Sequence, residues 1–397
     1  MKSSPRHRPP GDDAARRRNL LPLYAAGFVT AFGAHSVAAN LGGYATGHHA
    51  SLVEVGALLA VYDGAEVVLK PAFGVLSDRI GARPVLVGGL VGFAAASAAF
   101  VAVGEPDMLG VARLLQGAAA AAFSPAAGTL VAGAGGRQRG GRSFGGYGAA
   151  KGLGYLAGPL GGGLLVAAGG YRLLYTILAG LAVAVAALVL RLVPPLSPAP
   201  RARETLAGLV RRLSSPAFLR PVLVLAAATA ALSAGVGFLP VSGARAHLGP
   251  IATGAIVSVL AACAALAQPW AGRALDAGRL PVTAAAWGLL AAAGGLGLTA
   301  LVPGPLALAV SAVLLGTGVG VATPLGFAAL ARIAPPGRMG QTMGAAEVGR
   351  ELGDAGGPLL VGVLSPVGLA AGFVGLALVV AAAAGAARGS GKYPLRV

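Results

Sequence analysis

Long apolar runs, each closed by Gly, Pro or basic residues, recur along the whole chain. Their length matches the roughly 20 residues that an α-helix needs to cross a bilayer. They predict twelve membrane-spanning helices: 20–42, 53–76, 82–104, 108–132, 143–167 and 171–193, then 219–241, 252–274, 281–302, 306–332, 340–363 and 367–388. Between these two sets the pattern changes. Pro194, Pro195, Pro198 and Pro200 precede a basic amphipathic stretch with Arg201, Arg203, Arg211 and Arg212. That composition reads as an interdomain linker with a short helix on the membrane surface. The expected organisation is a basic tail (1–19), a six-helix bundle (20–193), a linker (194–218), a second six-helix bundle (219–388) and a tail (389–397). The fold class is an all-α membrane protein with two pseudo-symmetric bundles.

The second set of helices repeats the first at an offset of 198–199 residues. Pro22 matches Pro221, and Gly56-Ala57 matches Gly254-Ala255. Lys70-Pro71 with Gly74 and Asp78 matches Gln268-Pro269 with Gly272 and Asp276. Gly117 and Ser124-Pro125 match Gly316 and Thr323-Pro324, while Lys151, Gly154 and Gly158-Pro159 match Arg350, Gly353 and Gly357-Pro358. Matches in corresponding helices and in the same order define parallel repeats, a plan associated with transporters.

Composition agrees with this pattern. Hydrophobic residues make up 56% of the 397 and charged residues only 11%, with a mean hydropathy of +0.77. A soluble surface needs roughly a quarter charged residues. The 65 glycines suit closely packed helices, because small residues let backbones approach in lipid. The net charge of +17 would suggest nucleic acid in a soluble protein. Here the basic residues are dispersed through short loops, so no nucleic acid is expected. Of the 30 Lys and Arg, Lys70, Arg113, Lys151 and Arg350 fall inside spans, and Arg172 and Arg245 fall in alternate loops. All the others lie in the tails or the loops on the opposite side. By the positive-inside rule both termini are cytoplasmic, which makes the chain a multi-pass protein of the inner membrane. The N-terminal apolar run is too long for a cleavable signal. The single Cys263 excludes an internal disulfide and a Cys-based metal site.

Three local motifs resemble the major facilitator superfamily, and the resemblance covers residues 20–388. After the second span, Gly74, Asp78, Arg79, Gly81 and Arg83 are similar to the family's cytoplasmic loop motif, with Ala82 where a basic residue is usual. Asp78 and the arginines are expected to form an ionic latch. The repeat copy keeps Gly272 and Asp276 and is otherwise degenerate. In the fourth span, Arg113, Gln116 and Gly117 look like the family's Arg-x-x-Gln-Gly motif, which the resemblance links to proton coupling. Arg113 either faces protein or snorkels outward. The fifth span carries Gly145, Gly154, Gly158, Pro159, Gly162 and Gly163, a spacing that resembles the pattern of drug or metabolite:proton antiporters. Helix 11 nearly copies it with Gly344, Gly353, Gly357, Pro358 and Gly362. These glycines and prolines are expected to serve packing and bending.

The second span also contains Asp63, Glu66 and Lys70, which share one helical face with Gly74. The eleventh contains Glu347, Arg350, Glu351 and Asp354. The resemblance implies that these two spans pack antiparallel between the bundles. Matching depths then pair Lys70 with Glu347 and Glu66 with Arg350, and leave Asp63 and Asp354 to share a proton. A purely structural latch is the competing reading. In the fifth span, Lys151 has no acid in the eighth to pair with, and Gln268 is its nearest symmetry-related neighbour. Lys151, His35, Asn40, Gln116 and Gln268 are candidate cavity residues. Lys151 would attract an anion, face a water-filled cavity or snorkel.

These readings point to a secondary transporter that exports a small organic molecule in exchange for protons by alternating access. The alternatives are uptake by symport or uniport, and a non-transporting sensor or scaffold. There is no Walker segment and no His-Glu-x2-His metal motif, so neither an enzyme nor a cofactor is expected. The partners are a small-molecule substrate, protons and the lipid bilayer, and the chain should act as a monomer.

Overall fold

The computed structural model describes residues 11–47, 52–102, 106–135, 140–195, 206–248, 250–302 and 304–388. The expected tail and linker segments 1–10, 196–205 and 389–397 lie outside the described residues. The helices are α1 (Gly11–Gly47), α2 (Leu52–Ile80), α3 (Ala82–Ala102), α4 (Pro106–Ala120), α5 (Phe123–Gly135), α6 (Gly140–Leu192), α7 (Leu206–Leu213), α8 (Pro216–Arg245), α9 (Pro250–Asp276), α10 (Ala285–Leu301), α11 (Pro305–Ile333), α12 (Met339–Leu364) and α13 (Leu369–Arg388). No strand occurs among the described residues.

Local chemistry sets the ends and breaks. Pro opens α4, α8, α9 and α11, where its missing N–H costs nothing. The expected fourth span is divided into α4 and α5. Pro125 cannot donate to the carbonyl one turn before it, and the chain makes a turn at Ala121 and Ala122. Conversely, the fifth and sixth spans run together as α6. Their boundary survives as non-helical backbone at Gly169 and Gly170, the latter with φ 69°, a conformation that glycine adopts readily. Within α6, Pro159 lies inside continuous helix.

Nine segments among the described residues are long and apolar enough to cross a membrane. The longest, Gly140–Leu192, contains two spans. The helices α2 and α12 are not among the nine, and they are the two that carry the clustered intramembrane charges. Buried apolar side chains form two clusters. One is drawn from α1–α6 with a few residues of α8, α11 and α12; the other lies wholly within residues 224–387.

Packing follows the repeat. The helix α1 lies along α6, and its counterpart α8 lies along α12. Across the centre, α2 packs on α12 and α9 packs on α6. These two crossings carry the candidate site.

Candidate functional site at the crossing of α2 and α12

At one end of the crossing the two backbones almost touch. A Cβ on Gly74 would lie 2.5 Å from the carbonyl oxygen of Gly340, so this approach requires glycine. One turn on, Asp78 accepts hydrogen bonds from the amides of Gly340 (2.8 Å) and Gln341 (2.8 Å). These are the first amides of α12, which lack intrahelical partners and sit at the positive end of the helix dipole. The other crossing repeats the device. A Cβ on Gly141 would lie 2.6 Å from the Gly272 carbonyl oxygen. Asp276 accepts from the amides of Gly141 (2.9 Å) and Arg142 (2.7 Å).

The expected latch made with arginines differs in its partners. Arg83 donates to the Leu190 carbonyl within its own half, and Arg79 is exposed. Gly81 has φ 99°, where a side chain would be strained. The latch amides escaped the sequence reading because backbone donors carry no residue signature.

Two turns from the latch, Lys70 is completely buried. Its Nζ lies 2.6 Å from Glu351, 2.8 Å from Glu66 and 3.9 Å from Glu347. Arg350 contacts Glu347 at 3.1 Å and Glu351 at 3.0 Å. Removing an ion from water costs several kcal/mol, and Lys70 is held there by three carboxylates at once. Glu347 is within reach as expected, but Glu351 is the tighter partner. The expected Glu66–Arg350 pair is replaced. Glu66 stands one turn before Lys70 on the same helix face and pairs with it, while Arg350 stays with the acids of α12.

Farther along, Asp63 and Asp354 are exposed and have no ion pair or hydrogen bond among the described residues. The crossing therefore grades from backbone contact, through a paired charge cluster, to two open carboxyls. It closes at the latch end and opens at the other.

Arg113 is buried at 1% exposure, which excludes the snorkelling reading. Its guanidinium lies 4.2 Å from the Tyr62 ring centroid and donates to Gln116 at 2.8 Å. Gln116 in turn reaches Ser97 at 3.4 Å. This cluster places Arg113 against Tyr62 of α2, the residue next to Asp63. The sequence reading missed Tyr62, whose only signal is its position beside Asp63.

In α6, Lys151 donates to Ser124 at 3.2 Å and has no acid at ion-pair distance among the described residues. It lies 5.9 Å from the Tyr155 ring, and Tyr155 packs edge-on against His35 at 4.3 Å. Lys151 does not bond Gln268, whose Oε1 is buried with no hydrogen-bond partner among the described residues. The side chain of Asn40 lies outside the described residues. Ser124 and Tyr155 were also missed, although Tyr155 stands one turn after Lys151.

The glycine motif serves helix packing. A Cβ on Gly154 would lie 2.5 Å from the Phe28 carbonyl oxygen, and one on Gly158 would lie 2.8 Å from the His35 Cβ. Gly145 faces α9, and Gly353 and Gly357 face Ala226 and Ala230 of α8. Gly162 is buried and Gly163 partly so. Pro159 and Pro358 lie within their helices.

A model described as Major Facilitator Superfamily matches residues 23–260. The chain belongs to the major facilitator superfamily. It is 39% identical over 110 residues to the tetracycline resistance protein, class G, of Vibrio anguillarum, which is 28% of each chain. It is 31% identical over 135 residues to the multidrug resistance protein MdtG of Citrobacter koseri, covering 34% of this chain and 33% of that one. A third match is the puromycin resistance protein pur8 of Streptomyces alboniger, 43% identical over 96 residues, or 23% of this chain and 18% of the relative. The matches thus span about a third or less of these curated relatives. The fold is shared over nearly the whole chain. The human organic anion transporter MFSD10 (TETRAN) superposes with a TM-score of 0.79 at 18% identity, covering 96% of this chain and 100% of that one. The Escherichia coli fucose:proton symporter FucP gives 0.79 at 15% identity, with 93% and 97% covered. Membership of the superfamily makes the chain a multi-pass membrane protein.

Proposed function

We propose that this protein exports a small organic molecule in exchange for protons, cycling by alternating access. The observation that carries the reading is the charge imbalance at the α2–α12 crossing. Three carboxylates, Glu66, Glu347 and Glu351, share the two cations Lys70 and Arg350, and the open carboxyls of Asp63 and Asp354 continue the same line. Acidic groups inside a span are costly and mark ion or proton paths. A proton arriving from the open end meets Asp63 and Asp354 first. Neutralising either one weakens the acid surplus around Lys70 and Arg350, and so changes how firmly the two halves are held together.

Alternating access gives the two ends different roles. The end closed by Asp78 and Asp276 also bears the basic loops, so we assign it to the cytoplasm together with both termini. The structure then corresponds to the outward-open half of the cycle. The reading takes the chain to act as a monomer. His35, Tyr155 and Lys151 are candidate cavity residues beside the charge cluster. Export is favoured over uptake by the resistance proteins among the relatives and by the antiporter-like glycine spacing of α6.

Purified protein in proteoliposomes under an imposed pH gradient tests this directly, with tetracycline and puromycin as the first probes. The reading predicts substrate movement against its gradient, coupled to proton flow in the opposite direction. Substrate movement that is indifferent to the pH gradient, or that runs in the same direction as the protons, would overturn it.

A further inference from the structure

Beside the α9–α6 latch lies a cavity of about 650 Å³ whose lining includes Arg142, Trp270, Arg273, Asp276, Arg279 and Leu280. None of the three guanidinium groups has an ion pair or a side-chain hydrogen bond among the described residues. The one acid in the lining, Asp276, turns its two carboxylate oxygens to the amides of Gly141 and Arg142. The cavity therefore presents three arginine forks with little opposing charge. Such forks match phosphate oxygens in geometry and charge.

The apolar wall indicates which phosphate. Trp270 is 54% exposed and continues the exposed stripe of Leu266 (74%) and Val259 (39%) on α9. Spacings of four and seven residues put all three on one helix face, which is exposed at each of them. A Trp at the end of such a stripe suits the interface between headgroups and hydrocarbon. A soluble anion needs no such wall.

We infer that this cavity binds the phosphate of an anionic phospholipid headgroup, with Trp270 against the first methylenes of its acyl chains. Arg142 belongs to α6 and Arg273 to α9, while Arg279 follows α9. One bound phosphate thus ties together the two helices that Asp276 already joins, and it favours the state closed at this end. Among the described residues, the site has no counterpart built from the same groups on the other crossing, where Arg83 is engaged with the Leu190 carbonyl.

The full-length protein carries two tryptophans, so Trp287→Phe leaves Trp270 as the reporter. Phosphatidylglycerol with brominated chains should quench it saturably in detergent, and brominated phosphatidylcholine should not. Arg273→Gln/Arg279→Gln should weaken phosphatidylglycerol binding about thirtyfold, whereas Arg172→Gln/Arg245→Gln, at the other end of the bundle, should leave it unchanged. If the double variant does not fold, the single variants Arg142→Gln and Arg279→Gln should each cost about fivefold. Equal quenching by both lipids, or unchanged affinity in the Gln variants, overturns the site. Displacement of the lipid by millimolar inorganic phosphate overturns the lipid assignment in favour of a soluble anion.

Discussion

The two crossings at the centre of the molecule share a backbone design and differ in side-chain chemistry. Both bring glycines into contact, and both place an Asp on the first amides of the facing helix. Only the α2–α12 crossing adds a network of paired charges beyond the latch. At the matching depth of α9–α6 stands Gln268 where the first half has Lys70, with Lys151 beside Ser124 instead of beside an acid. A duplicated scaffold has thus kept a common mechanical closure while one copy alone holds the clustered acids to which we assign the response to protons. Under the proposed coupling, the contrast separates what closes the transporter from what drives it.

The largest expected effect comes from breaking the charged copy. Lys70→Met leaves Glu66, Glu347 and Glu351 short of a cation, with Glu347 buried, and a broken buried pair costs about 3–5 kcal/mol. Thermal unfolding in detergent should show a markedly lower midpoint, or protein that cannot be purified folded. The mirror substitution Gln268→Met should cost less than about 1 kcal/mol. Its Oε1 has no partner among the described residues, so the replacement strands no bonded group there.

The backbone devices should behave alike in both copies. Gly74→Val and Gly272→Val each force a side chain into the facing backbone, and overpacking of this kind costs about 1–3 kcal/mol. Spectroscopic distances between labels at the latch ends of the crossing helices should lengthen to a similar extent in both variants. A large effect in one copy only would show that the shared geometry is not shared in energy. Smaller again, Asp78→Ala and Asp276→Ala each remove a cap worth about 1 kcal/mol, which is roughly a fivefold shift toward the state open at this end. Matched shifts in the same label distances would support equal latches.

Much of this scaffold is legible in the sequence, because bilayer thickness fixes span length and the repeat aligns the halves. The Gly74 and Asp78 motif and its copy at Gly272 and Asp276 lie where their spacing placed them. The choice of partner was not legible. Glu347 and Glu351 are one turn apart, and the flexible stem of Lys70 reaches both, so depth matching alone could not select Glu351. Nor could spacing show that Glu66 would turn to its own helix neighbour and leave Arg350 to the acids of α12. Tyr62 and Ser124 were hidden for another reason. Their roles come from neighbouring helices packed against them, and no pattern within their own helix records that.

The most direct test concerns the open carboxyls of the charged copy. Asp63→Asn/Asp354→Asn keeps size and hydrogen-bonding capacity but removes both sites where a proton could bind. Counterflow and pH-driven transport should be measured on the same proteoliposomes. The account predicts that substrate exchange persists while proton-driven accumulation falls at least tenfold. Undiminished proton-driven accumulation in the double variant would contradict it and would leave the α2–α12 charges with a structural role alone.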